Sequence, residues 1–296
     1  MPETVEMNGA YPPQVKSFAR AAAVVSLLFV VPLFRLAGFA IHDELHSYIL
    51  LMPVVILYLA GLEKYKLAGP THSALKTGMA FVAAAMAVTA WHWIAPARTV
   101  ADSLGQIILA YVLFLTGAGF AILGDNLMRK LAFPFAMLIF LVPLPDALHT
   151  WLETSLQHGS AAVAGWMLAV SDIPVLQDNL TFRLPNINLE VAPECSGIHS
   201  TMVLFITSLV AGKLFLDRSW QRAVLCLAVI PLALVRNGFR IFVLGELCMH
   251  IGPYMINSWV HRHGGPLFFA LSLVPFLLLL YLLKKMGRKQ AGLPVK

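Results

Sequence analysis

Cysteine and charge are both scarce in this chain. Three cysteines, Cys195, Cys226 and Cys248, in 296 residues provide neither a CxxC pair nor a disulfide framework, which excludes a disulfide-stapled secreted scaffold. Charged residues make up only 12% of the sequence, against about a quarter in soluble domains. The chain therefore cannot cover a globular surface with solvated groups. No internal repeat or low-complexity run is visible, which sets aside solenoids. The two halves also lack the inverted pattern of broken apolar segments that marks a secondary transporter. The net charge is +6, but the basic residues fall in short runs between apolar segments rather than along one face. They read as topology determinants, and no nucleic-acid partner is expected.

Hydrocarbon is abundant. Hydrophobic residues make up 59% of the chain and the mean hydropathy is +0.77, which defines a polytopic membrane protein. A helix needs roughly 20 apolar residues to cross about 30 Å of hydrocarbon. On that measure eight stretches qualify, near 19–40, 47–62, 74–95, 104–124, 131–146, 196–216, 222–243 and 265–283. The expected fold is thus all-α with about eight transmembrane helices, in a single integral membrane domain over 1–296. Residues 1–15 are expected to be a disordered tail and 284–296 a basic tail. Lys16 and Arg20 precede the first span without a small-residue cleavage site, so that helix is expected to be retained.

Glu63, Lys64 and Lys66, the Arg129–Lys130 pair, the cluster Lys213, Arg218 and Arg222, and the tail with Lys284, Lys285, Arg288 and Lys289 fall on one side of this arrangement. The positive-inside rule makes that side cytoplasmic, with both termini in it. The opposite side receives Asp43, Glu44, Asp102, Asp146, Asp172, Asp178, Glu190 and Glu194.

Two segments depart from the simple pattern. Over 147–171, Glu153, Gln157 and His158 recur at near-helical spacing, the signature of an amphipathic helix lying at the outer interface. Between Asp178 and Val191 the period becomes two: Leu180, Phe182 and Leu184 alternate with Thr181 and Arg183, and Ile187, Leu189 and Val191 alternate with Asn188 and Glu190. This predicts a small β-hairpin around Pro185–Asn186. Residues 147–194 are accordingly read as a periplasmic interfacial helix and hairpin. An extended edge there is either a platform on which a peptide adds as a further strand or a lid over the helix ends.

The stretch VAPECSGIHS places Cys195 where a long apolar helix begins. Unpaired N–H groups in a helix's first turn favour the thiolate, the nucleophilic form of cysteine. The alternative is a small apolar filler. In the seventh span, counted from Arg222, Arg240 lies about 27 Å along the helix axis, near the outer edge of the hydrocarbon, with Arg236 one turn deeper. Charges at that depth are functional or paired, and Glu190, Glu194 and Glu246 are the available acids. His261 and His263 precede the last span at the same face, and histidine can act there as acid and base. Cys248-x-His250 and His261-x-His263 match no zinc pattern, so no metal or cofactor is expected.

Taken together, HSYILLMPVVILYLA, LAFPFAMLIFLVPLPDAL, LEVAPECSGIHS, IPLALVRNGFRI and HRHGGPLFF resemble the exosortases, bacterial membrane enzymes of the exosortase and archaeosortase group. The resemblance implies a Cys–Arg–His trio falling on Cys195, Arg240 and His261. Glu194, Ser196, Arg236, Asn237 and His263 surround it as candidate substrate-binding residues. It also implies a cysteine peptidase or transpeptidase of the inner membrane that cleaves C-terminal sorting signals of exported proteins at the periplasmic face. Such a signal comprises a Pro-Glu-Pro-type motif, a transmembrane helix and a basic end. The expected partners are those tails, membrane lipid and an acceptor nucleophile of unidentified kind. A competing reading is a non-catalytic component of exopolysaccharide export, with the arginines and histidines holding anionic lipid-linked sugar.

Overall fold

The computed structural model describes residues 13–63, 73–95, 97, 99–171, 174–185, 187–192, 196–257 and 264–290. The chain divides into two compact units, Met1–Asp146 and Ala147–Lys296. Among the described residues, five helices are long and apolar enough to cross a membrane, and up to seven spans result if two bent helix pairs each count as one.

In the first unit, α1 (Pro13–Leu28) and α2 (Val30–His42) meet at a bend of 74°. Pro32 explains the break, because it has no N–H to offer the carbonyl of Leu28 and its ring crowds that position. The expected span 19–40 is therefore bent at Phe29. The expected span 47–62 is a 3-10 turn, Ser47–Leu50, followed by α3 (Met52–Leu62), whose 11 residues extend only about 16 Å. The expected span 131–146 is likewise short: α6 (Ala132–Met137) runs into a 3-10 turn, Leu138–Leu141, before a proline-containing connection.

Between them, α4 (Leu75–Ile94) and α5 (Val100–Lys130) form an antiparallel pair. Gly78 and Gly117 make it close: a Cβ at Gly78 would lie 2.8 Å from the Gly117 carbonyl oxygen, and one at Gly117 2.9 Å from that of Gly78. Small residues let membrane helices approach at backbone distance. Val15 and Phe18 of α1 pack on Leu123, Leu127 and Met128 of α5, and Ser26 bonds Tyr111 across the pair at 2.9 Å.

The second unit is a set of helices that run side by side. α7 (Asp146–Val170) and α10 (Val229–His250) are parallel and in step: a Cβ at Gly159 would meet Leu234 at 2.7 Å, one at Gly238 would meet Val163 at 2.6 Å, and Gly245 faces Leu168 at 3.2 Å. The sequence reading of 147–171 as a helix lying across the interface is thus corrected. Two of its polar residues face protein: Gln157 donates to the Val191 carbonyl at 3.4 Å, and His158 lies 3.1 Å from Asn179 Oδ1. A polar stripe that satisfies buried backbone has the same periodicity as one that faces headgroups.

α8 (Ile198–Phe215) runs antiparallel to α10 and to the short α9 (Ser219–Leu227) before it. Arg236 touches Gly197 at one end, Ser208 bonds Cys226 midway at 3.4 Å, and Arg222 donates to the Leu216 carbonyl at the other at 2.9 Å. α11 (Gly265–Gln290) is also antiparallel to α10. Phe268 meets Phe239 with ring centroids 6.1 Å apart, and Gln221 donates to the Leu283 carbonyl at 2.6 Å.

These contacts sort the unit's ends. Lys213, Arg218, Arg222 and Lys284 gather at one, where Lys284 Nζ sits 5.3 Å from the Phe215 ring centroid. The opposite end carries a three-stranded antiparallel sheet of β1 (Leu176–Asp178), β2 (Thr181–Arg183) and β3 (Asn188–Glu190), in that order. The β2–β3 hairpin is the predicted one, closed by the Leu184–Ile187 pair (2.9 and 3.3 Å); β1 is an addition. Phe182, Leu189 and Val191 pack with Ala161, Ala164, Leu168, Ile241, Leu244 and Cys248 in one buried cluster. That cluster seats the sheet on α7 and α10.

Candidate active site

Cys195, Glu194, His261 and His263 lie outside the described residues. The site is therefore built from what surrounds them, at the sheet-bearing end of the second unit.

α8 starts at Gly197, which has φ +67°, a left-handed conformation that side chains with a Cβ rarely adopt. Space imposes glycine independently, since a Cβ there would overlap the amide of Asn237. The Asn237 amide nitrogen donates to the Ser196 carbonyl, so the residue directly after Cys195 is fixed to α10. The Gly197 carbonyl is bonded by the Thr201 N–H at 3.0 Å, by the Thr201 hydroxyl at 2.8 Å and by the Ser200 hydroxyl at 3.0 Å. Arg236 adds a fourth donor, Nη2, at 3.2 Å.

Arg236 is the hub of this arrangement. Its Nε donates to Asn237 Oδ1 at 3.1 Å and its Nη2 also reaches the Thr201 hydroxyl at 3.2 Å. A planar guanidinium can serve several acceptors at once in a fixed geometry. With only 7% of its surface exposed, it acts on the start of α8 through carbonyl and hydroxyl acceptors. Of the three acids expected as ion-pair partners, Glu246 is instead 3.1 Å from His250, Glu190 is exposed on β3, and Glu194 lies outside the described residues. One donor, Nη1, is buried without a partner among the described residues.

Ser196 and Asn237, candidate substrate contacts from sequence, are 1% and 3% exposed, and their polar groups hold the α8 start. Arg240 lies one helical turn beyond Arg236, half-buried. Thr201, Ser200 and Gly197 were not singled out from sequence. The available signal was a hydroxyl four residues after a glycine at a helix start, where it bonds back to the free carbonyl. His199, in the same turn, has a buried Nδ1 without a partner among the described residues.

The described residues contain no cluster of three or more His, Cys, Asp or Glu able to hold a metal ion. Cys248 is fully buried in the apolar cluster under the sheet, while His250 is exposed beside Glu246. The two therefore point to different surroundings despite their spacing. In the first unit a cavity of about 770 Å³, lined in part by Arg35, His42, Asp43 and Thr99, contains none of the predicted site residues.

Fold and site together define a multi-pass helical membrane protein in which one helix start is pinned beneath a small sheet at one end of a helix bundle. The chain belongs to the transmembrane exosortases: that family's model matches residues 40–278, a range that includes Cys195, Arg240 and His261. Exosortases are generally cysteine proteases or transpeptidases. No curated protein and no solved structure matches the chain.

Proposed function

We propose that this protein is a membrane-embedded cysteine peptidase and transpeptidase that cleaves the C-terminal sorting signal of exported proteins. Cys195 is the nucleophile. Its thiolate adds to the scissile carbonyl carbon, giving a tetrahedral oxyanion that Arg240 stabilises. Collapse breaks the C–N bond as His261 protonates the departing amine, leaving a thioester on Cys195. His261 then takes a proton from the acceptor nucleophile, which attacks the thioester carbonyl; the C–S bond breaks and the Cys195 thiolate and protonated His261 are restored. In this reading Glu194 and His263 serve as substrate contacts.

The observation that carries this reading is the convergence of described neighbours. Ser196, next to Cys195, bonds Asn237 of α10; Arg240 follows on that helix within one turn. Phe268, at the start of α11 a few residues after His261, packs on Phe239 beside them. The starts of α8 and α11 thus meet the middle of α10, on the side of the unit that carries the sheet. The cluster Lys213, Arg218, Arg222 and Lys284 occupies the other end, while Arg183, Arg236 and Arg240 lie on the site side; on the positive-inside rule the cluster orients the site end to the periplasm of the inner membrane, with the basic tail cytoplasmic.

The test is co-expression of a tailed reporter with the wild type and with Cys195→Ala, Arg240→Ala and His261→Ala, all checked for membrane insertion. Wild-type cleavage with loss in all three is expected. Processing that continues without the thiol refutes the covalent route. Loss of exopolysaccharide with Arg240→Ala but not with Cys195→Ala selects the non-catalytic export reading instead.

A further inference from the structure

The β2–β3 register fixes which backbone groups of β3 face outward. Phe182 lies opposite Leu189, and Thr181 and Arg183 lie opposite Glu190 and Asn188. Hydrogen bonds join Leu184 to Ile187 and Val191 to Leu180, so the alternating pattern assigns Ile187, Leu189 and Val191 as the residues whose backbone groups face β2. The N–H and C=O of Asn188 and the N–H of Glu190 point the other way. Among the described residues these three groups receive no hydrogen bond, whereas the Glu190 carbonyl is taken by the Ala192 N–H at 3.1 Å.

The other side of β2 is taken by β1, so β1 and β3 are the sheet's two edges, and β3 is the one that leads towards Cys195 in sequence. β3 is thus an open edge with exposed Asn188 and Glu190 on one face and buried Leu189 on the other. Its three-residue length and the charge of Glu190 limit open-ended pairing with other sheets, while no proline or bulge within Asn188–Glu190 removes the outward groups that a single short peptide strand would use. Four residues separate Glu190 from Cys195, a reach of at most about 17 Å of extended chain. Val191, whose N–H is bonded to Leu180 at 2.9 Å, anchors the start of that connection.

We propose that the open edge of β3 is the docking strand for the substrate, and that the extended polypeptide beside the scissile bond adds to it as a fourth strand. This rests on the peptidase reading above. The recognised chemistry is main chain: a peptide able to present N–H and C=O groups at every second residue. Side-chain selection then comes from the alternate residues lying over Leu189 or beside Asn188 and Glu190.

Asn188→Pro removes the outward N–H and leaves the bonds to β2 in place, while Asn188→Ala keeps the edge intact. For cleavage of a synthetic sorting-tail peptide by the full-length protein in nanodiscs, Asn188→Pro is expected to raise KM by about 3- to 10-fold with kcat within about twofold. Asn188→Ala, which keeps the outward N–H and loses only the side chain, should raise KM clearly less than Asn188→Pro. An unchanged KM in a folded Asn188→Pro protein overturns the proposal.

Binding of singly N-methylated versions of the same peptide to Cys195→Ala supplies a second reading that needs no variant at the edge and no turnover. Weakening at every second position supports docking on β3, and equal weakening at all positions or at none overturns it. Periodic binding by a protein whose wild type leaves the peptide uncut would retain the docking strand and refute the peptidase reading.

Discussion

Pinning of the α8 start through Gly197 and Asn237 is testable as a coupling between two residues. In Gly197→Ala, the left-handed φ of +67° costs about 1 kcal/mol for a residue with a Cβ. The new methyl also displaces the Asn237 amide, which occupies the same space. The buried Ser196 carbonyl then loses its donor, at about 1–3 kcal/mol. The total is about 2–4 kcal/mol. In the Asn237→Ala background no amide remains to be displaced, so the glycine substitution should cost only the backbone strain. The double-mutant cycle therefore predicts that the pair together costs about 1–3 kcal/mol less than the sum of the single changes. Equilibrium unfolding in mixed micelles with rising SDS, followed by tryptophan fluorescence, measures all four proteins. Additive effects within about 0.5 kcal/mol would show that Gly197 and Asn237 do not act on one another, and the pinning argument would fall.

The remaining predictions use other contacts. Arg236→Lys keeps the charge but cannot serve Asn237, Gly197 and Thr201 together; reporter cleavage should drop roughly as far as in Arg236→Met, by about 10-fold or more, and wild-type cleavage by the lysine variant would show that only charge matters. Gly78→Val drives a side chain against the Gly117 carbonyl and should cost about 1–3 kcal/mol, lowering the thermal transition in detergent. Gly38→Ala faces open space and should leave that transition unchanged or slightly raised. Gly238→Leu should separate α7 from α10, where a Cβ already meets Val163 at 2.6 Å; accelerated proteolysis between α7 and the sheet would report it, and wild-type resistance would contradict the parallel packing.

The parts of the fold legible in sequence are those set by period and by charge. The β2–β3 hairpin follows from a period-two run around Pro185, and the five long helices follow from apolar length. The positions that escaped have causes that composition does not carry. Pro32 reads as one more residue in an apolar span, yet it bends α1–α2 by 74°. β1 has no alternation to show, because all three of its residues are exposed. Gly197 and Thr201 matter through a single carbonyl, a contact with no periodic signature. Arg236 was visible as an expensive charge, but only the structure shows its Nε and Nη2 directed at the α8 start rather than outward to a ligand.

The parallel course of α7 and α10 bears directly on which side of the membrane the chemistry faces. An interfacial helix at 147–171 kept the segment before Cys195 outside by not crossing at all. A helix alongside α10 places it at the same end for a different reason: both helices run in the same direction, so the sheet that follows α7 meets the C-terminal half of α10. Cross-packing of Phe182 and Leu189 with Ile241 and Leu244 fixes that match, independently of any charge rule. Charge then has one task, to orient the unit as a whole. Four basic residues at the α8–α9 turn and on α11 stand against Glu190, Glu246 and the Asp178–Arg183 ion pair at the sheet end. Acidic residues are weak orienting signals and basic ones strong, so the basic end carries the argument. Moving that charge, for instance by Arg218→Glu with Arg222→Glu, should weaken insertion in the proposed orientation while leaving the sheet packed on α7 and α10; cysteine-accessibility labelling at Asn188→Cys from the periplasmic side reads the outcome.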